Sequence, residues 1–106
     1  IKAAEEFILG HLTSTIRVAD IASAVGISVP TLNRAFRKRY GYGPKAFVKL
    51  RRLERVQSEL LSADPMETTV TEIAGHYGFW HLSQFASDYQ KQFGELPSHT
   101  LKRRQG

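Results

Sequence analysis

Between residues 29 and 55 the sequence gathers side chains suited to a polyanion. Arg34, Arg37, Lys38, Arg39, Lys45, Lys49, Arg51, Arg52 and Arg55 face a single acid there, Glu54. A guanidinium can pair with guanine O6 and N7, an asparagine amide with adenine N6 and N7, and an ammonium group with phosphate oxygens. A run this basic reads as an electrostatic footprint for nucleic acid, and a solvated helix face is the plainer alternative. The bias belongs to the first half of the chain. Residues 1–53 carry 10 basic and 3 acidic groups, or +7, and residues 54–106 carry 5 basic and 7 acidic groups, or −2.

Other chemistry is thin. His11, His76, His81 and His99 show no metal-ligand spacing and no paired carboxylate. Serine, histidine and aspartate occur without the order of a triad, and the glycines stand singly rather than as a phosphate-cradling loop. Cysteine is absent, which excludes disulfide scaffolds, thiolate zinc sites and cysteine nucleophiles from these residues. No catalysis, metal or cofactor is therefore expected. Trp80 reads as a turn or packing residue.

The elements that must position the basic and amide groups are helical. A chain of 106 residues with 42% apolar and 24% charged residues is one compact domain or two small lobes. No apolar run approaches the ~18 residues of a membrane span, and no secretory signal opens the chain. The chain begins at Ile1, not Met, and is taken as a piece of a longer protein. Apolar residues recur at three- and four-residue spacings, so the fold class is all-α with about seven helices. The expected segments are about 2–12, 18–25, 29–40, 44–63, 70–77 and 82–93, with a last turn after Pro97. Thr69 and Glu72 suit a capping box for the helix that follows. Arg17 stands where the earlier short helix would take a capping Ser, Thr or Asp.

An internal repeat organises these helices. Val18-Ala19-Asp20-Ile21-Ala22 aligns with Val70-Thr71-Glu72-Ile73-Ala74, and Val25-Gly26-Ile27 with Tyr77-Gly78-Phe79. Beyond the turn the offset grows by one residue, pairing Leu32 with Phe85, Phe36 with Tyr89, Tyr40 with Phe93, Gly41 with Gly94 and Pro44 with Pro97. Each copy is a short helix, a glycine turn and a second helix wedged by Ile21/Leu32/Phe36 or Ile73/Phe85/Tyr89. This is the helix-turn-helix pattern, whose second helix enters the DNA major groove. An αα-hairpin used only for packing is the plainer alternative. The expected domains are a first lobe over 1–43, a linker helix over 44–63 and a second lobe over 64–106. A helix of about 20 residues spans ~30 Å, close to the ~34 Å of one duplex turn. Such a rod suits reading in two successive major grooves, and a mismatch would favour bent DNA at roughly 1–6 kcal/mol.

The chain resembles the DNA-binding domain of the AraC/XylS family of bacterial transcription regulators. The resemblance is carried by Asp20-Ile21-Ala22, Gly26-Ile27-Ser28, Leu32-Asn33-Arg34-Ala35-Phe36 and Gly41-Tyr42-Gly43-Pro44. It continues through Arg52-Leu53, Ile73-Ala74, Tyr77-Gly78-Phe79, Phe85, Phe93-Gly94 and Pro97. The run Gly78–Phe85 looks like the XylS-type branch. The resemblance implies double-stranded promoter DNA as partner, usually activation of transcription, a cytoplasmic, nucleoid-associated location and contact with RNA polymerase. The effector or dimerisation domain that most members carry is absent from these residues.

Helical geometry sets Pro30, Thr31, Asn33, Arg34 and Arg37 opposite the first wedge, and family position favours Pro30, Asn33 and Arg34 as base readers. In the second copy the matching face is His81, Ser83, Gln84, Ser87 and Gln90. Family position there favours Gln84 and Ser87, with Ser83 beside them. Arg37, Lys38, Lys49, Arg52 and His81 are the expected phosphate contacts, and Arg52 has an internal ion pair as its alternative. The second face has no basic residue before Lys91, so the second lobe is expected to read more weakly. The competing function is a basic helical protein-interaction module without sequence-specific DNA binding.

Overall fold

The computed structural model describes residues 1–103, and among them the regular structure is seven helices and no strand. They are α1 (Lys2–Leu9), α2 (Val18–Val25), α3 (Val29–Tyr40), α4 (Pro44–Ser62), α5 (Val70–His76), α6 (Leu82–Phe93) and α7 (Pro97–Arg103). The chain divides into two compact units, Ile1–Arg52 and one beginning at Leu53, so the boundary falls inside α4.

The first unit closes around Ala4, Ile8, Leu12, Ile21, Ala22, Leu32, Phe36, Phe47 and Val48, all buried. Phe36 meets Phe47 edge-on with ring centroids 5.1 Å apart, and Tyr40 lies 5.2 Å from Phe47. The Tyr40 hydroxyl donates to Glu5, and Arg39 lies 3.7 Å from the same carboxylate, fastening α3 to α1. α1 is shorter than the spacing of its apolar residues predicts. Its last turn ends at Gly10, whose N–H reaches the Glu6 carbonyl, and the chain turns at once, with His11 N–H donating to Ile8 O at 3.0 Å. Leu12 is still buried, but from the turn and not from a helix face. Apolar spacing reports which residues point inward and does not report where the backbone leaves the helix.

The second unit buries Leu53, Val56, Leu60, Ile73, Ala74, Tyr77, Phe85, Tyr89 and Leu101. Phe79, Phe85, Tyr89 and Phe93 form a continuous aromatic row, with successive centroids 4.9, 5.8 and 4.6 Å apart. Among the described residues its buried polar side chains are paired. Tyr89 donates to Thr100 at 2.8 Å, Thr100 donates to Glu95, and Tyr77 donates to Glu59 at 2.5 Å. Burial, together with the Glu59 carboxylate, pushes the Tyr77 hydroxyl up to about 12. Burial likewise raises the Tyr89 hydroxyl.

Candidate nucleic-acid interface

Each unit contains one helix-turn-helix, and the two turns share a hydrogen-bond pattern. In the first, Ile27 N–H donates to Ala22 O at 3.1 Å; in the second, Phe79 N–H donates to Ala74 O at 3.0 Å. Both bonds require the preceding residue to take a left-handed backbone, and Gly26 (φ 72°) and Gly78 (φ 82°) do so without a Cβ to clash. The shift in repeat offset is visible here. α3 starts three residues after Gly26 and α6 four after Gly78, so Trp80 and His81 stand where the first turn has Ser28 alone. Trp80 is 76% exposed, yet its ring rests over Gly75, where a Cβ would come within 2.9 Å of it. It therefore packs against α5 through one edge.

α3 begins at a capped end. Ser28 Oγ accepts from Thr31 N–H at 3.2 Å and donates to Thr31 Oγ1 at 2.9 Å. Arg34 Nη2 donates to the same Thr31 oxygen at 3.3 Å. With Leu32 and Phe36 buried, a turn of about 100° per residue places Arg34 at the centre of the outward face. Pro30, Thr31, Arg37 and Lys38 flank it, and all five are exposed. Asn33 does not join them. It is half-buried and lies toward the α3–α4 junction, where a Cβ on Gly43 would meet Asn33 Oδ1 at 3.8 Å and Arg37 Nη2 at 3.7 Å. A position about 100° from Arg34 brings Asn33 to the edge of the packed face, on the side it shares with Arg37.

The basic run divides by what each cation touches. Arg39 is engaged with Tyr40 and Glu5, and its already high pKa is raised by the Tyr40 hydrogen bond and by the charges nearby. Arg51 lies over the Phe47 ring, 4.6 Å from its centroid. Arg52 donates from Nε to Leu12 O at 3.0 Å and from Nη2 to Ser14 O at 2.6 Å. Burial lowers its pKa. Arg52 was expected on phosphate, or else in an acidic pair. The structure instead sets it on two main-chain carbonyls, because the α1–α2 connection runs past α4 with acceptors that need a donor. Arg34, Arg37, Lys38 and Lys49 are exposed.

α6 presents the same geometry with different chemistry. Ser87 holds the central position opposite Phe85 and Tyr89, and Ser83, Gln84, Gln90 and Lys91 flank it, all exposed. Gln84 Nε2 donates to Asp88 Oδ1 at 3.0 Å across one helical turn. The spacing of four between Gln84 and Asp88 is the sequence signal for such a pair. His81, the N-cap residue, is exposed and gives the helix no side-chain cap. Among the described residues no group of His, Cys, Asp or Glu could hold a metal ion, and no helix is long and apolar enough to cross a membrane.

The sequence pattern of the family described as "Helix-turn-helix domain" matches residues 21–103. The structure of a probable AraC family transcriptional regulator from Rhodopseudomonas palustris is 38% identical. It superposes with a TM-score of 0.88, covering 98% of this chain and 95% of that one. The chain belongs to the AraC/XylS family of DNA-binding transcription regulators. Another AraC/XylS-type relative is XylDLEGF operon transcriptional activator 3 of Pseudomonas putida, 37% identical over 93% of this chain and 30% of its own length. The DNA-binding domain of AdpA, solved in complex with a target DNA, is 25% identical, with a TM-score of 0.81 over 94% of this chain and 87% of that one. The chain spans about a third of the length of the curated AraC/XylS relatives it matches.

Proposed function

We propose that this AraC/XylS domain reads double-stranded promoter DNA in two sequence blocks, α3 addressing one and α6 the other in successive major grooves. Arg34 is the principal base reader, with Pro30 and Thr31 beside it. Ser83, Gln84 and Ser87 read the second block. Arg37, Lys38, Lys49 and His81 contact phosphate. Asn33 falls behind these because it is half-buried, and Arg52 holds the α1–α2 connection instead. The observation that carries this reading is Arg34 at the centre of the exposed face of a helix-turn-helix second helix, its guanidinium tied to Thr31. The DNA-bound AdpA domain supports the same use of the fold. In the whole protein the domain serves a cytoplasmic, nucleoid-associated transcription activator that contacts RNA polymerase and carries a separate effector or dimerisation domain. It performs no catalysis.

A randomised-duplex selection with the chain at moderate salt tests the reading. Two enriched blocks about one helical turn apart are expected. Arg34→Ala then costs about 1–3 kcal/mol on the selected site and relaxes one base position. An equal loss on scrambled DNA would make Arg34 a phosphate contact. Salt-insensitive binding without enrichment would favour a protein-interaction module. Lys38→Ala lowers the salt slope by about one for all sequences alike.

A further inference from the structure

The Gln84–Asp88 contact bears on which bases the second lobe accepts. A carboxylate only accepts hydrogen bonds, so the partner of Asp88 Oδ1 must be the amide nitrogen of Gln84. With Nε2 drawn to Asp88, the carbonyl oxygen Oε1 is directed away from that charge. Gln84 is exposed and Asp88 half-buried, so the pair lies with Asp88 toward the core and Gln84 toward solvent. At the matching place in α3, Thr31 accepts from both Ser28 and Arg34. Its own hydroxyl proton is then left to donate. Asp88 takes one of the two Gln84 Nε2 hydrogens, so this amide keeps a directed Oε1 acceptor and one N–H, where Thr31 keeps only a hydroxyl proton.

We propose that Asp88 is a specificity-positioning residue: it fixes the Gln84 amide so that Oε1 is read against a base amino group, selecting adenine or cytosine over guanine or thymine at one position. Every base pair shows the major groove one amino group, on adenine N6 or cytosine N4, and one carbonyl, on thymine O4 or guanine O6. An acceptor held in place reads which strand carries the amino group. It does not separate A·T from G·C. This inference rests on Gln84 being a base reader.

The test is the base-preference profile of the chain on the second block, measured for the parent and for Gln84→Ala, Asp88→Ala, Asp88→Asn and Asp88→Glu. The parent is expected to favour adenine and cytosine at one position by roughly three- to tenfold, the discrimination of a single hydrogen bond. Gln84→Ala removes that preference. Asp88→Ala and the isosteric Asp88→Asn flatten it at the same position, because neither commits the amide to one orientation. Asp88→Glu keeps an acceptor four residues on and retains it. Preference at the first block reports that each variant is folded. If Gln84→Ala changes no position, Gln84 is not a base reader, and the underlying reading fails together with the inference. If Gln84→Ala changes a position that favours guanine or thymine, or if both Asp88→Ala and Asp88→Asn leave the preference intact, the reading stands and the role of Asp88 is overturned.

Discussion

The two helix-turn-helix units use one backbone solution and opposite side-chain investments. Both turns close through a left-handed glycine and the same hydrogen bond, Ile27 to Ala22 and Phe79 to Ala74. In the first unit a side chain caps the second helix, through Ser28, and none caps the helix before it. There Asp20 Oδ2 accepts from Arg17 N–H at 3.0 Å as the remaining half of a capping box. In the second unit the cap belongs to the first helix, through Thr69, and α6 opens at His81 without one. α3 contains Arg34, Arg37, Lys38 and Arg39 with no acid, and α6 contains Lys91 balanced by Asp88. A cap on the helix that carries the charge orders its first turn, where base edges would be met. Scaffold and reading surface thus vary separately, since the turn needs only main chain and a glycine.

The comparison is broken most strongly in the cores. Phe36→Ala and Tyr89→Ala occupy matching positions and are each expected to cost about 3–5 kcal/mol in urea unfolding. Tyr89→Phe, which makes the second unit chemically like the first, is expected to cost only about 1 kcal/mol through the lost bond to Thr100. A Tyr89→Phe loss as large as that of the alanine variant would place the unit's stability in its polar pairs and not in ring packing.

Arg52→Ala is expected to cost roughly 2–3 kcal/mol by stranding the Leu12 and Ser14 carbonyls. Lysine restores little, because it lacks the planar fork that reaches both. If melting is unchanged and the salt slope of DNA binding falls instead, Arg52 belongs with the phosphate contacts.

Alkaline pH should separate the units next. Tyr77 has its folded pKa raised from 10.0 to about 12, and Tyr89 is raised as well. A raised value means that stability is fully present below the unfolded pKa and is lost as pH rises through the folded one. Unfolding between pH 10 and 12 should therefore begin in the second unit, and Tyr77→Phe should remove part of that dependence. Equal loss of both units at the same pH in the parent chain, or an unchanged difference in the Tyr77→Phe chain, would contradict this.

The turns give a smaller and matched effect. Nothing lies within 4 Å of a Cβ built on Gly26 or Gly78, so alanine there meets only backbone strain. About 1–2 kcal/mol is expected at each, equal in the two units by thermal melting. A clear inequality would show that one turn relaxes. The smallest contrast is in the caps, where Ser28→Ala and Thr69→Ala should each cost about 1 kcal/mol and His81→Ala almost nothing.

Much of this was legible in the sequence because the repeat made each helix testify twice. The helix expected over 44–63 is Pro44–Ser62, though its two halves belong to different units and not to a separate linker, and the helix expected to end near residue 77 ends at His76. Glycines and prolines mark such ends through their own backbone limits, which need no neighbours. α1 is the exception: Leu12 kept the apolar period although the backbone had already turned at Gly10. In the interface, the outward position of Arg34 followed from the spacing of Leu32 and Phe36.

The one-dimensional pattern determined the all-helical class, the duplicated turn and the uneven charge, since periodicity, glycine placement and composition are properties of the chain itself. Only tertiary structure decided how the cations divide. Arg39 went to Glu5 and Tyr40, Arg51 to the Phe47 ring and Arg52 to the Leu12 and Ser14 carbonyls. It also left Asn33 half-buried at the edge of the exposed face. A guanidinium's partner depends on which acceptor the fold brings within about 3 Å, and those acceptors lie up to 40 residues away along the chain.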